Sequence, residues 1–126
     1  MKIVIANWKM NMLSREAMAF CETFKAGYKP KPGCEAGGTG RCRLHIVFHG
    51  CKQGSSFVKD AFVRRAGYLE VAATNRIVLL FPQIREGFQP LNPYGCWDYW
   101  GYEGEEYATQ QGLQVAAVRA MVADLL

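Results

Sequence analysis

Leu44-His45-Ile46-Val47-Phe48, closed by His49-Gly50-Cys51, and its counterpart Ile77-Val78-Leu79-Leu80-Phe81 decide the fold. Each is a nearly continuous apolar run, without the alternation of a strand that faces water on one side. Each therefore predicts a strand buried on both faces, as parallel sheets require. Between them Val58, Phe62, Ala66, Leu69 and Ala73 recur at helical spacing, with Asp60 as a candidate cap and Gly67 as a candidate break. A crossover of that length permits parallel pairing. The chain reads as α/β, with parallel strands at residues 43–48 and 77–81 and a helix over 58–73.

Working outward, Ile3-Val4-Ile5-Ala6 is a third short apolar run. Ser14 then caps a helix over 14–24, with Ala17, Phe20, Cys21 and Phe24 on one face. From Lys25 to Arg41 the composition shifts to Pro30, Pro32, Gly33, Gly37, Gly38 and Gly40, the chemistry of a linker. Two segments follow, 1–24 and 25–126. Beyond Pro82 the chain turns to loop residues, and an aromatic cluster comes next: Tyr94, Trp97, Tyr99, Trp100, Tyr102 and Tyr107. A last helix is expected over 108–126, with Val115, Val118, Val122 and Leu125 as its apolar face.

Composition narrows the classes. The 126 residues are 50% hydrophobic and 21% charged, an ordinary globular balance. The formal net charge of +4 is scattered, with no basic stripe interleaved with aromatics, so no nucleic-acid partner is expected. No run approaches the roughly 20 apolar residues of a spanning helix, so no membrane partner is expected either. The run Ile3 to Ala6 is cut off by Asn7, Trp8 and Lys9 and does not read as a signal peptide. Five cysteines are many for this length; Cys34, Cys42, Cys51 and Cys96 form an even set that suggests two disulfides, with three pairings open, and Cys21 stands apart. With no Cys-x-x-Cys pair and two histidines, no metal and no cofactor are expected.

The chemistry gathers at His49-Gly50-Cys51, at the carboxyl end of a buried strand, where open α/β sheets bind ligands. A turn there aims backbone N–H groups at a developing oxyanion. In α/β-hydrolases the loop after such a strand supplies half of the oxyanion hole.

The wider run carries a resemblance. Cys42-Arg-Leu-His-Ile-Val-Phe-His-Gly-Cys-Lys-Gln53, Phe62-Val-Arg-Arg-Ala-Gly-Tyr68 and Thr74-Asn-Arg-Ile-Val-Leu-Leu-Phe-Pro-Gln83 follow in order. Asn92-Pro-Tyr-Gly-Cys-Trp-Asp-Tyr-Trp-Gly-Tyr102 and the helix from Tyr107 complete the series. Together they resemble the esterase-type polyhydroxybutyrate depolymerases over about 27–126. The resemblance implies a partial α/β-hydrolase-like three-layer sandwich with a short parallel sheet, a secreted protein, and a hydrophobic polyester or short hydroxyacyl ester as partner. By matching position it implies that the Cys51 backbone N–H, with His49 and Gly50, forms the oxyanion turn. Trp97, Tyr99, Trp100 and Tyr102 would line the acyl-binding mouth. The expected disulfides are Cys34–Cys42, closing a Gly-rich loop, and Cys51–Cys96, tying the oxyanion turn to the aromatic loop.

A serine esterase also needs a Gly-x-Ser-x-Gly elbow, a histidine base and an orienting carboxylate. Ser14, Ser55 and Ser56 are the only serines and none sits in such an elbow. Upstream, Asn7-Trp8-Lys9-Met10-Asn11 after the first apolar run resembles the first strand and loop of triosephosphate isomerase, whose substrate-binding residues fall on Asn7 and Lys9. The reading is thus a fragment or chimera related to a serine esterase, without turnover of its own. Isomerase ancestry through the N-terminal segment and a non-catalytic polymer-binding module are the alternatives. A strand edge left open by a missing neighbour predicts self-association.

Overall fold

The computed structural model describes residues 42–125 together with the backbone of one N-terminal strand. The remaining residues, which include the expected 14–24 helix, Cys21, Cys34, Asn7 and Lys9, lie outside the description. Strands β1 (Ile3–Val4), β2 (Arg43–Ile46) and β3 (Ile77–Leu80) form a three-stranded sheet in the order β1-β3-β2. All pairing is parallel: Leu44 lies opposite Val78 and Ile46 opposite Leu80, while Ile3 faces Leu79. The ladder runs past the formal end of β2, because Val47 N–H donates to Leu80 C=O at 2.8 Å. β3 is therefore the inner strand, with Leu79, Leu80 and Phe81 among the most deeply buried side chains.

The crossover between β2 and β3 is three short helices rather than the single one expected over 58–73. These are α1 (Ser55–Val58), α2 (Ala61–Arg65) and α3 (Tyr68–Thr74). Two backbone sites break the run: Lys59 at φ 56° and Gly67 at φ 82°, both in a conformation no right-handed helix can hold. Asp60 precedes α2 without capping it; its carboxylate pairs with Arg64 one turn on. Val63 and Ala72 point onto the sheet, and with Val47, Leu79 and Phe81 they make the core. Phe62 and Tyr68 close it edge-on against Phe81, each with ring centroids 6.2 Å away.

Past β3 the chain forms a hairpin that the loop-like sequence conceals. β4 (Gly87–Phe88) pairs antiparallel with β5 (Leu91–Asn92) around a cis Gln89-Pro90 bond. A 3₁₀ turn (Glu105–Ala108) then precedes α4 (Leu113–Leu125), so the helix expected from 108 starts at 113. Its buried residues are Gln114, Ala117 and Met121, whereas Val115 is exposed and Val118, Val122 and Leu125 are only partly covered. The expected apolar face is therefore not the one that packs. Among the described residues no helix is long and apolar enough to cross a membrane.

Candidate active-site turn and aromatic loop

The turn after β2 is built from four consecutive residues. Gln53 N–H donates to Gly50 C=O at 3.1 Å, and Lys52 has a positive φ of 59°, the pattern of a type II turn. A long side chain in that region is uncommon and is tolerated where surrounding contacts over-determine it. Those contacts are present. Lys52 N–H donates to Tyr94 C=O at 2.7 Å, and its Nζ sits 4.4 Å from the Tyr94 ring centroid. Gly50 N–H is taken by Oε1 of Gln53 at 2.9 Å. Cys51 is joined by a disulfide to Cys96. Its own N–H is committed to no acceptor among the described residues, at an exposed position. Cys42 is also disulfide-bonded, and Cys34 lies outside the description.

His49 is buried to 3% exposure and both ring nitrogens are engaged. Ile84 N–H donates to Nε2 at 3.2 Å, so the ring proton lies on Nδ1, which donates to Gly50 C=O at 2.8 Å. Burial holds its pKa below the ordinary histidine range. Trp97 and Phe62 pack against the ring, with centroids 5.9 Å and 6.4 Å away, and Gly54 approaches it so closely that a Cβ there would stand 3.1 Å from Cε1. This imidazole is a neutral strut between the turn and the segment after β3. It is not free to accept a proton from a nucleophile. The other histidine, His45, is exposed on β2 and its ring centroid lies 5.6 Å from that of Tyr68. Ser55 and Ser56 open α1 just beyond the turn, and Ser55 N–H is held by Oε1 of buried Gln83 at 2.8 Å.

The aromatic loop is joined to this turn through the Cys51–Cys96 bond. Trp97 lies beside His49 and meets Phe48 edge-on at 4.8 Å; its Nε1 is buried and has no described acceptor. Tyr99 and Trp100 behave differently. They are 71% and 46% exposed, and their rings stand edge to face with centroids 4.6 Å apart. Tyr102 is anchored: its hydroxyl donates to Cys96 C=O at 2.8 Å and receives Nε2 of Gln114 at 2.6 Å and Nδ2 of Asn92 at 3.0 Å. Burial pushes its pKa up to about 12, so the phenol stays neutral. Of the four loop aromatics singled out in the sequence, Tyr99 and Trp100 offer open apolar surface, Trp97 backs the turn, and Tyr102 serves the scaffold.

Three polar residues that sequence reasoning passed over organise the loop. Buried Asn92 brackets Cys96, donating to its C=O and accepting its N–H, both at 2.9 Å. Gln114 reaches from α4 to Asp98 N–H at 2.8 Å as well as to Tyr102. Asp98 accepts from the backbone of the residues that follow it. The available signal was an aspartate set before a glycine in an apolar stretch, the mark of a side chain that folds its own backbone. Among the described residues no group of three or more His, Cys, Asp or Glu side chains could hold a metal ion.

No protein-family model matches the chain. Curated relatives do. Over 75% of its length the chain is 45% identical to a poly(3-hydroxybutyrate) depolymerase of Delftia acidovorans, of which it spans 18%. It is 34% identical to a polyhydroxybutyrate depolymerase of Talaromyces funiculosus, with 79% of the chain and 32% of that protein covered. Two solved structures share the fold. A PHB depolymerase variant complexed with an R3HB trimer superposes with a TM-score of 0.67 at 32% identity, over 71% of this chain and 31% of that one. The PHB depolymerase of Penicillium funiculosum gives 0.63 at 33% identity, over 75% and 32%. The chain is thus similar to polyhydroxybutyrate depolymerases in sequence and in α/β fold, and it spans 18% to 32% of the lengths of the curated relatives.

Proposed function

We propose that the chain carries the oxyanion turn and the acyl-contacting loop of a serine esterase of the polyhydroxybutyrate-depolymerase type. It binds a hydrophobic hydroxyalkanoate polyester without hydrolysing it by itself. The observation that carries this reading is the Cys51 turn: its N–H is uncommitted, while its neighbours on both sides are tied down. Preorganised donors of this kind act because they need not reorient when charge develops on the carbonyl oxygen; one is worth about 2.7–4 kcal/mol in the transition state. Similarity to relatives named for polyhydroxybutyrate supplies the substrate class.

The machinery for attack is the missing half. Gly-x-Ser-x-Gly does not occur in the sequence, and both nitrogens of His49 are engaged, so among the described residues His49 is not paired with a serine as an acyl-enzyme mechanism needs. Removing such a unit lowers turnover by about a millionfold.

The test is a titration of ¹⁵N-labelled oxidised protein with a short 3-hydroxybutyrate oligomer, alongside an ester-hydrolysis assay. The Cys51 amide resonance and the indole resonances should move while hydrolysis stays at the buffer rate. An unmoved Cys51 amide under saturating oligomer removes the oxyanion role. Hydrolysis abolished by a phosphonylating reagent would show that a serine nucleophile operates after all.

A further inference from the structure

We propose that Asp98 is the positioning residue of the aromatic contact: its carboxylate folds the loop so that Tyr99 and Trp100 stand at the surface as one preformed platform for the polyester. The proposal rests on the reading of the aromatic loop given above. Oδ1 of Asp98 accepts from Trp100 N–H at 3.2 Å, Gly101 N–H at 2.6 Å and Tyr102 N–H at 3.1 Å, and Oδ2 accepts from Glu103 N–H at 2.8 Å. One side chain thus satisfies four consecutive backbone donors. Hydrogen bonds to an ionised acceptor are about twice as strong as neutral ones. Gly101, at φ 88°, supplies the left-handed residue that lets the backbone curl round the carboxylate.

The outer end of the loop is what this clamp displays. Tyr99 lies between Asp98 and its first donor, the Trp100 N–H, and is 71% exposed. Trp100 is held between the Tyr99 ring at 4.6 Å and the Tyr102 ring at 4.8 Å. Tyr102 in turn is fixed by Gln114 and Cys96. The pair is therefore ordered by polar contacts behind it rather than by burial of its own faces. Ordering exposed aromatics in advance removes a cost that binding would otherwise carry, about 0.5–1.5 kcal/mol for each immobilised side chain.

Asparagine tests the clamp without changing its size. Oδ1 could still accept, but the amide nitrogen would replace Oδ2 and face the Glu103 N–H donor against donor. The experiment uses the full oxidised chain and films of poly(3-hydroxybutyrate), comparing wild type, Asp98→Asn, Asp98→Ala and the double variant Tyr99→Ala/Trp100→Ala. Adsorption isotherms are read with near-UV circular dichroism, which reports the coupled rings, and far-UV dichroism, which reports the fold. The double variant should lose the near-UV band and adsorb about tenfold more weakly. Asp98→Ala should match it in both readouts with the far-UV spectrum retained, and Asp98→Asn should fall between. If the double variant adsorbs like wild type, the aromatic loop is not the polymer contact and the functional reading fails. If the double variant loses adsorption while Asp98→Asn and Asp98→Ala keep both band and adsorption, the positioning role alone is overturned. Should Asp98→Ala unfold, Asp98→Asn decides: an unchanged band and isotherm overturn the proposal.

Discussion

At the scale of single residues, the candidate site depends on polar side chains that work as struts. His49 is the clearest. Its pKa is depressed by burial, so the neutral ring stabilises the fold. That contribution is fully present above the unfolded value of about 6.5 and is lost as pH falls through the depressed folded value. Urea unfolding at several pH values should show stability declining on that acid side. His49→Phe should remove this part of the decline. It should also cost about 1–3 kcal/mol, because Ile84 N–H would be left buried without an acceptor. Glu103 has the opposite sign. Burial and, secondarily, the Asp98 charge raise its pKa, so its contribution is present below the ordinary carboxylate value and lost as pH rises through the folded one. Glu103→Gln should therefore raise the melting temperature at neutral pH, and the gain should vanish in acid. Cys51, His49 and Gly50 could be picked out in the sequence because a strand end marks where such a turn must lie. Asp98 could be suspected from the glycine that follows it, but the roles of Asn92 and Gln114 could not, since the Cys96 and Asp98 backbone and the Tyr102 hydroxyl come beside them only on folding.

At the scale of elements, both strands were legible as apolar runs, but the expected burial on both faces fits the inner strand β3 and not β2, whose residues alternate between exposed and partly covered because it lies at the edge of the sheet. The helices were less so. The spacing of Val58, Phe62, Ala66, Leu69 and Ala73 describes one continuous helix, yet Lys59 and Gly67 turn the backbone out of it. Only the glycine could be suspected from its identity; nothing about a lysine announces a positive φ. In α4 the failure is instructive in another way. The valine-rich face looks like the packing face, but Gln114 is drawn inward by Asp98 and Tyr102, and Ala117 and Met121 follow it on the same stripe. A buried amide has overruled the apolar count. The start of α4 is set by Gly112, where a Cβ would lie 2.6 Å from Tyr107 C=O and 2.7 Å from Glu106 C=O. Both obstacles are backbone and cannot step aside. Gly112→Ala should destabilise the chain by about 1–3 kcal/mol in chemical denaturation, against the small gain that alanine normally brings near a helix. A neutral result would mean that the 3₁₀ turn can shift.

At the scale of the molecule, the described sheet has β3 inside and an edge strand on either side of it. β1 pairs along β3, so the Ile77–Leu80 strand is sheltered from both sides, and one of the two edges that the sequence left exposed is covered. β2 is the longer of the two edge strands, and among the described residues its outer side has no strand partner. Half of its N–H and C=O groups then face outward, a template on which another chain can add a strand. Open apolar side chains lie elsewhere on the surface, notably Phe88 at 79% and Leu91 at 63% exposure on the hairpin. Two routes to association follow, and they respond differently to substitution. Strand addition depends on the backbone of β2 and should be blocked by a proline there, as in His45→Pro, or discouraged by a charge on its partly buried face, as in Leu44→Lys. Contact through the hairpin should be relieved by Phe88→Ser with Leu91→Ser, which leaves the sheet untouched. Sedimentation velocity of the oxidised chain over a hundredfold concentration range is the measurement. The sedimentation coefficient should rise with concentration for the unmodified chain and for the hairpin variant, and level off for Leu44→Lys, the milder edge substitution. If the hairpin variant alone becomes monomeric, the open strand is not the route. A concentration-independent monomer for the unmodified chain would mean that its β2 edge is covered within the chain itself.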